Sequence, residues 1–118
     1  MGLQETSPYM RLNEMKIILK SKKNTHYAIA NFENGKVTVL KDSKIYLPIA
    51  FEKMSRDALE ARNDSSIVDE KGLVLKDVSF NSVTTAAQFV TGRSVNGLIA
   101  WRIDDKVSLK EYYKQKGN

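Results

Sequence analysis

Residues 80–97 read Phe-Asn-Ser-Val-Thr-Thr-Ala-Ala-Gln-Phe-Val-Thr-Gly-Arg-Ser-Val-Asn-Gly, and they contain the clearest helix signal in the sequence. Apolar residues recur there at the spacing i, i+3, i+4 and i+7, which places one apolar stripe along a helix: Val83, Ala86, Ala87 and Val90. Ser82 is a favourable N-cap, and Gly92 is suited to end the helix. Because two residues of the stripe are alanine, we expect this helix to approach a sheet closely.

The residues that follow this helix predict a rigid polar loop and then an extended segment. Residues 93–97 are polar, and Asn96-Gly97 is typical of a turn with positive φ. Residues 98–103 resume an extended pattern around Trp101, whose large ring we expect to pack under the helix.

Upstream, the pattern predicts strands. Residues 14–20 form a short apolar run with β-branched residues, and residues 25–33 carry Tyr27 and Ile29 in alternation. Asn34-Gly35 then predicts a two-residue hairpin turn before a return strand over 36–41. A second hairpin is predicted where residues 67–68 and 73–75 flank a loop that contains Gly72.

Two further helices and a connector complete the expected fold. Ser55 is a candidate cap for a short helix within residues 54–63, after a connector over residues 43–53. Ser108 and Glu111 have the spacing of a capping box and open a last helix. The expected class is α+β, with a small antiparallel sheet of two hairpins plus further strands, packed by two or three short helices.

The length of 118 residues and ordinary composition indicate one globular domain. We expect a flexible N-terminal extension over residues 1–12 and a single domain over 13–118. No apolar run approaches the roughly 20 residues of a membrane span, and the start does not resemble a secretory signal. A cytoplasmic protein is therefore expected.

The chemistry of the sequence argues against an enzyme. The chain has no cysteine, which excludes disulfides, thiolate nucleophiles and zinc fingers, and His26 is its single histidine. The acid pairs Asp69-Glu70 and Asp104-Asp105 fall in expected turns, and no phosphate loop or catalytic triad is recognisable. We therefore expect no catalysis, no metal and no cofactor, with a small enzyme as the weakest of three hypotheses.

Positive charge is concentrated in the two ends of the sequence. The formal net charge is +5; residues 1–24 contribute +3, residues 25–79 contribute −1 and residues 80–118 contribute +3. If the ends lie together, this excess forms one basic face that attracts polyanions. A merely solvated surface is the alternative.

The loop after the central helix holds the candidate binding residues. Arg93, Ser94 and Asn96 bring a guanidinium, a hydroxyl and an amide together, which are groups that contact phosphates or base edges, and Arg102 adds a further cation. The neighbouring residues are expected to be structural: Ser82, Ala86, Ala87, Gly92, Gly97 and Trp101.

At these residues the chain resembles a known family, the domain-of-unknown-function family 4357. The shared pattern is a Phe-x-Ser start, an Ala-Ala helix, a Gly-Arg-Ser-x-Asn-Gly segment and a tryptophan, here residues 80–97 and Trp101. It extends upstream to Gly35 and to residues 39–43, so the resemblance covers about residues 27 to 113. Asp42 stands where the family usually has glycine, and a carboxylate at that turn would repel phosphate.

The resemblance implies an accessory domain found at the C-terminus of GIY-YIG nuclease-type and restriction-enzyme proteins. It implies DNA, or a nuclease or restriction-system protein, as partner, and a related module is proposed to read modified DNA. Our first hypothesis is thus a non-catalytic nucleic-acid-binding module. The alternative is a protein-interaction or assembly domain, with Trp101, Tyr112 and Tyr113 as an aromatic patch and with its oligomeric state left open.

Overall fold

Four strands form one antiparallel sheet in the computed structural model, which describes residues 14–49, 54–104 and 106–116. They are β1 (Glu14–Lys20), β2 (Tyr27–Glu33), β3 (Lys36–Val39) and β4 (Val78–Phe80), and they pair in the order β1-β2-β3-β4. With four short helices, this sheet confirms the predicted α+β class. The predicted N-terminal extension and residues 50–53 of the predicted connector lie outside the described residues.

The β2–β3 hairpin turns where Asn34-Gly35 predicted it. Asn34 has φ 52° and Gly35 has φ 84°. A two-residue loop with both φ values positive matches the right-handed twist of the flanking strands. Its register pairs Glu33 with Lys36 and Ala30 with Val39, so the turn sets which side chains share a face.

One face of the sheet supplies seven of the 18 buried apolar residues. On the inner strands β2 and β3 these residues are small or β-branched, and β1 and β4 add larger ones; the full set is Ile17, Leu19, Ala28, Ala30, Val37, Val39 and Phe80. Tyr27 and Ile29 of β2 alternate with this set and therefore point to the opposite, outer face. The alanines of β2 allow the helical layer to lie close to the sheet.

The helices are α1 (Arg56–Arg62), α2 (Val83–Thr91), α3 (Gly97–Ala100) and α4 (Leu109–Lys116). Their predicted serine caps are present. Ser55 Oγ accepts from the N–H of Ala58, and Ser82 Oγ accepts from that of Thr85. At α4, Ser108 Oγ accepts from the N–H of Glu111 at 3.2 Å, while Glu111 Oε1 accepts from the N–H of Ser108 at 3.1 Å, which completes the capping box.

Helix α2 lies at the centre of the molecule. The predicted apolar stripe is buried at Ala86, Ala87 and Val90, and the burial extends over the whole range 86–91. The burial is wider than a stripe because α2 packs against the sheet on one side and against α1 and α3 on others. Gly92 ends the helix with φ 74°, as predicted for a left-handed cap.

One local prediction was confirmed only in part, and another was wrong. The second hairpin is short: its two segments pair antiparallel at a single bridge, Val68 with Val74, and the N–H of Leu75 donates to the carbonyl of Ile67. Residues 98–103 are not extended throughout, because α3 occupies residues 97–100 before the chain extends at Trp101.

The turn with positive φ that was expected at Asn96-Gly97 is not formed. Asn96 has φ −82°, and Gly97 is not among the residues with positive φ. Asn96 instead caps α3, because its Oδ1 accepts from the N–H of Leu98 at 2.9 Å. Across the described ranges, no helix is long and apolar enough to cross a membrane.

Candidate functional site

The loop after α2 meets the turn between β1 and β2 at a surface cleft of about 270 Å³. The two segments come from distant parts of the sequence, and the connector residue Tyr46 joins them. Three of the lining side chains are basic: Lys22, Lys23 and Arg93. The full lining is Ser21, Lys22, Lys23, Thr25, His26, Tyr46 and Arg93.

Hydrogen bonds to one serine fix the β1–β2 turn. Ser21 Oγ accepts from the N–H of Thr25 at 2.6 Å and from that of His26 at 3.3 Å. Asn24 takes φ 59°, a left-handed conformation that asparagine tolerates. The turn therefore holds Lys22 and Lys23 exposed at its tip.

Tyr46 is held in the cleft from two sides. Its N–H donates to the carbonyl of Val90 at 2.8 Å, and its carbonyl accepts from Arg62 Nη1 at 2.9 Å and from Arg62 Nη2. Burial lowers the pKa of Arg62 to about 10, a value at which the guanidinium stays charged at neutral pH. Arg62 thus anchors the backbone from which the Tyr46 ring projects.

The aromatic wall of the cleft consists of His26 and Tyr46, whose ring centroids are 5.9 Å apart at an interplanar angle of 59°. Burial lowers the pKa of His26, so its ring is neutral at pH 7. Thr25 Oγ1 lies 3.1 Å from its Nδ1. A cleft with three cations, two rings and no acidic residue in its lining suits the phosphates and bases of a polyanion.

Gly92, which directly precedes Arg93, must be glycine for two reasons. Its φ of 74° disfavours a side chain. In addition, a Cβ there would overlap the carbonyl of Pro48 and would lie 2.7 Å from Arg62 Nη2. The close approach brings Arg93 to the border of a second cleft of about 230 Å³ beside Tyr46 and Pro48.

The four predicted binding residues do not form one cluster. Arg93 is exposed and lines the cleft, and Ser94 is exposed beside it in the chain. The Oδ1 of Asn96 accepts from the N–H of Leu98 in the cap of α3, and a binding role for this residue stays a prediction. Arg102 lies at the edge of β1, where it exchanges two backbone hydrogen bonds with Ile18, and it does not line the cleft.

The six predicted structural residues include the capping residues Ser82 and Gly92, described above with Ala86 and Ala87. Trp101 is fully buried, and its Nε1–H donates to the carbonyl of Val83 at 3.0 Å. This burial confirms its packing under α2 and rules it out as part of an exposed aromatic patch. Gly97 is buried against the start of α2, where a Cβ would overlap Thr84 N and the carbonyl group of Val83.

Sequence reasoning missed Lys22, Lys23, His26 and Tyr46 as site residues. One signal was present, because the first 24 residues carry a net charge of +3 and two adjacent lysines follow the first strand. Tyr46 gave no signal, since it belongs to a connector without periodicity. What places it here is the hydrogen bonding to Val90 and Arg62, which sequence spacing does not reveal.

Asp42, which stands where the family pattern has glycine, adopts a conformation that glycine favours. Its φ is 76°, a left-handed value that glycine adopts freely and that aspartate tolerates better than most residues. A left-handed conformation, the kind that commonly selects glycine, is thus adopted here by a residue that carries a carboxylate.

The acidic residues do not assemble a metal centre in the part of the chain that the structure describes. No group of three or more His, Asp or Glu side chains there is placed to hold a metal ion. Asp69 instead stabilises its own turn, because its Oδ1 accepts from the N–H groups of Lys71 and Leu73. These hydrogen bonds hold the pKa of Asp69 below its usual value. Asp105 lies outside the described residues.

Comparison with known proteins supports the pattern read from residues 80–97. No curated protein and no solved structure gives a match to this chain. The model of one family, described as Domain of unknown function (DUF4357), matches residues 18–113. This range includes the β1–β2 turn, α2, the loop that carries Arg93 and most of α4. The chain therefore belongs to the family Domain of unknown function (DUF4357).

Proposed function

We propose that this chain is a nucleic-acid-binding module without catalytic activity of its own, and that it binds DNA through the cleft between the β1–β2 turn and the loop after α2. The observation that carries the proposal is the convergence of Lys22, Lys23 and Arg93 around the His26 and Tyr46 rings. Cations bind the phosphates of a duplex or of a single strand, and the rings can stack on bases that are unpaired, without regard to sequence.

The distribution of charge supports this choice of surface. Another open cleft, of about 290 Å³, lies where α1 meets β4. Its lining includes three acidic residues: Asp57, Glu60 and Asp64. Hydrogen bonds from Ser66 hold the pKa of Asp64 below its usual value, so this carboxylate is charged at neutral pH. A polyanion is repelled from that side and attracted to the side that carries β1 and Arg93.

The test is a fluorescence-anisotropy titration of labelled duplex DNA, unmodified or adenine-methylated, at about 50 mM and about 200 mM salt. We expect a dissociation constant between about 1 μM and about 0.1 mM, with weaker binding at higher salt. Arg93→Ala should weaken binding by about tenfold or more, because a hydrogen-bonded charged contact contributes about 1.5–3 kcal/mol.

The matched control is Arg56→Ala. Arg56 is also an exposed arginine, but it begins α1 on the acidic side of the molecule. Equal losses for the two variants would mean that net charge, and not the cleft, governs binding. Failure of the unmodified protein to bind any DNA at either salt concentration would overturn the proposal.

We also propose that the module acts beside a nuclease or a restriction system, within the cytoplasm. The support is the resemblance of its motif to accessory domains of such proteins. A preference for the adenine-methylated duplex would assign it the role of a reader, and equal binding of both duplexes would assign it that of a tether.

A protein-interaction role is the second candidate, and helix α3 favours it. Ile99 is 50% exposed, and Leu98 beside it is also exposed, on a helix of four residues. Tyr113 of α4 is 44% exposed, with its ring packed against Phe32 and Tyr112. Light scattering tests the self-association form of this candidate, for which Ile99→Glu should shift the population toward monomer.

A further inference from the structure

The outer face of the sheet is a second surface with a definite composition. Register places its residues in three rows across the strands. Lys20 lies opposite Tyr27, Ile18 lies opposite Ile29, and Lys16 lies opposite Asn31. The centre of the face is therefore aromatic and aliphatic, with lysines at the border formed by β1.

Two segments outside the strands extend these rows. Lys44 exchanges two backbone hydrogen bonds with Tyr27, at 2.8 and 2.9 Å, and Arg102 exchanges two with Ile18, also at 2.8 and 2.9 Å. Residues paired in this way point to the same side of a sheet. Lys44 therefore lies in the row of Tyr27, and Arg102 lies in the row of Ile18.

The face is open at its centre. Helix α2 packs on the opposite face, among the buried residues of β3. Tyr27 is 47% exposed. Beside it lies a groove of about 220 Å³, mostly apolar, that is lined by Tyr27, Ile29, Leu40, Lys41, Asp42 and Ser43.

We propose that this outer face binds the unpaired bases of single-stranded DNA, with Tyr27 as the stacking residue and with Arg102, Lys16, Lys20 and Lys44 along the phosphates. The proposal rests on the proposed function, because the row of Lys20 and Tyr27 continues directly into the turn that carries Lys22, Lys23 and His26. One strand could then cross from the sheet into the cleft. The outer-face proposal deepens that function, because it names an unpaired DNA strand as the ligand.

Charge and shape select this ligand. A row that contains one exposed ring between two lysines matches a strand whose bases and phosphates alternate. A duplex hides the faces of its bases, so it cannot use the Tyr27 ring. Asp42 at the far border of the groove repels phosphates, which directs the sugar-phosphate backbone toward the β1 side, where Lys20 and Arg102 lie.

The experiment compares three labelled probes in anisotropy titrations with the whole chain. They are a DNA strand of about 12 nucleotides, an abasic strand of the same length and a duplex of the same sequence. We expect the unmodified protein to bind the strand with bases at least about fivefold more tightly than the abasic strand, since stacking contributes about 1–3 kcal/mol per base.

Tyr27→Ala should reduce this difference by about fivefold or more, the contribution of one stacked base, and leave the affinity for the abasic strand and the duplex unchanged. Tyr27→Phe should restore it, because phenylalanine keeps the ring. The control is Tyr113→Ala, which removes a similarly exposed ring from α4 and should leave all three affinities unchanged. Far-ultraviolet circular dichroism checks that each variant is folded.

The outcomes separate the two proposals. If Tyr27→Ala leaves the affinity for all three probes unchanged while Arg93→Ala weakens binding, the outer-face proposal is overturned and the proposed function stands. If no probe binds, both fail. Tighter binding of an RNA strand of the same sequence would overturn the assignment to DNA.

Discussion

At the scale of single residues, His26 links the cleft to pH. It is the only histidine of the chain, and burial lowers its pKa below the ordinary value. The groups that face it in the cleft are Lys22, Lys23, Arg93 and Tyr46, with no acid among them. A bound phosphate is then the group that can stabilise the protonated ring.

We expect DNA binding to tighten by up to about fivefold as the pH falls from about 7.5 to about 5.5, because a polyanion favours the protonated ring and binding takes up a proton. The measurement is the same anisotropy titration at several pH values. With duplex DNA as the probe, His26→Gln should remove the pH dependence and leave the affinity at pH 7.5 unchanged, because the paired bases of a duplex do not stack on the ring. A pH dependence that persists in this variant would assign it to another group.

The stability of the protein has the opposite dependence on pH. Since the pKa of His26 is lower in the folded state, the unfolded chain binds the proton first. The contribution of neutral His26 to the free energy of unfolding is therefore present above about pH 6.5 and is lost as the pH falls below it. The binding titrations must be made where the protein remains folded.

Residue chemistry also shows how far the sequence predicts the site. Arg93 could be predicted as exposed and basic because Gly92 ends a strongly periodic helix. The role of Gly97 could not, because Asn-Gly is typical of a positive-φ turn, while here the requirement is space. A Cβ at Gly97 would overlap the backbone of Thr84 and Val83, which is a contact between elements and leaves no trace in local sequence.

At the scale of elements, the two caps of α2 fix the ends of the helix, and the C-cap Gly92 sets where the binding loop begins. Ser82 Oγ accepts from the N–H of Thr85 at 3.0 Å. The helix then runs for nine residues to the left-handed Gly92. The cap, the buried stripe and the glycine all follow from sequence, and for this reason α2 was predicted within a residue at each end.

Replacing the cap tests its contribution. We expect Ser82→Ala to lower the free energy of unfolding by about 1 kcal/mol, because the N–H of Thr85 loses its acceptor. Urea denaturation measures this change. Ser82→Asp should be nearly neutral, since a carboxylate accepts the same hydrogen bond at the positive end of the helix. A loss for Ser82→Asp equal to that for Ser82→Ala would show that packing, and not capping, is the role of this residue.

Elements with few residues were harder to predict than α2. Helix α3 has four residues, too few for a period to appear, so its residues were predicted as extended. The bridge of Lys44 with Leu73 likewise joins segments that are distant in sequence, whereas the bridge of Val68 with Val74 lies in the predicted second hairpin. Where the pattern is long and the turn is specific, as in the β2–β3 hairpin, the prediction was confirmed.

At the scale of the whole molecule, charge is segregated. The cations of the β1–β2 turn, of Arg93 and of Arg102 come from the two basic ends of the sequence, and the cleft between α1 and β4 is acidic. The sequence shows the excess at both ends. The sequence does not show that this positive charge is divided between the cleft and the outer face of the sheet. The division depends on the pairing of Arg102 with β1, which is a tertiary contact.

The salt dependence of binding measures how many cations take part. For a single strand, the logarithm of the association constant falls with the logarithm of salt by about 0.7 per phosphate contact. We expect a Lys22→Ala, Lys23→Ala double variant to reduce this slope by about 1.4. A Lys71→Ala, Lys76→Ala double variant is the control, because both lysines lie outside the cleft lining and the rows of the outer face. Equal slopes for the first variant and the unmodified protein would show that the turn lysines do not contact phosphate.

The hydrogen bonds between Ile18 and Arg102 also bear on how the chain folds. The β1–β2 and β2–β3 pairs close over short stretches of sequence, whereas this contact must close a loop that contains most of the chain, so we expect it to form late. Until Arg102 arrives, the free edge of β1 can pair with a strand from another molecule. Lys16 and Lys20 on that strand oppose such pairing, so the same charges that suit a polyanion also protect the folding intermediate from aggregation.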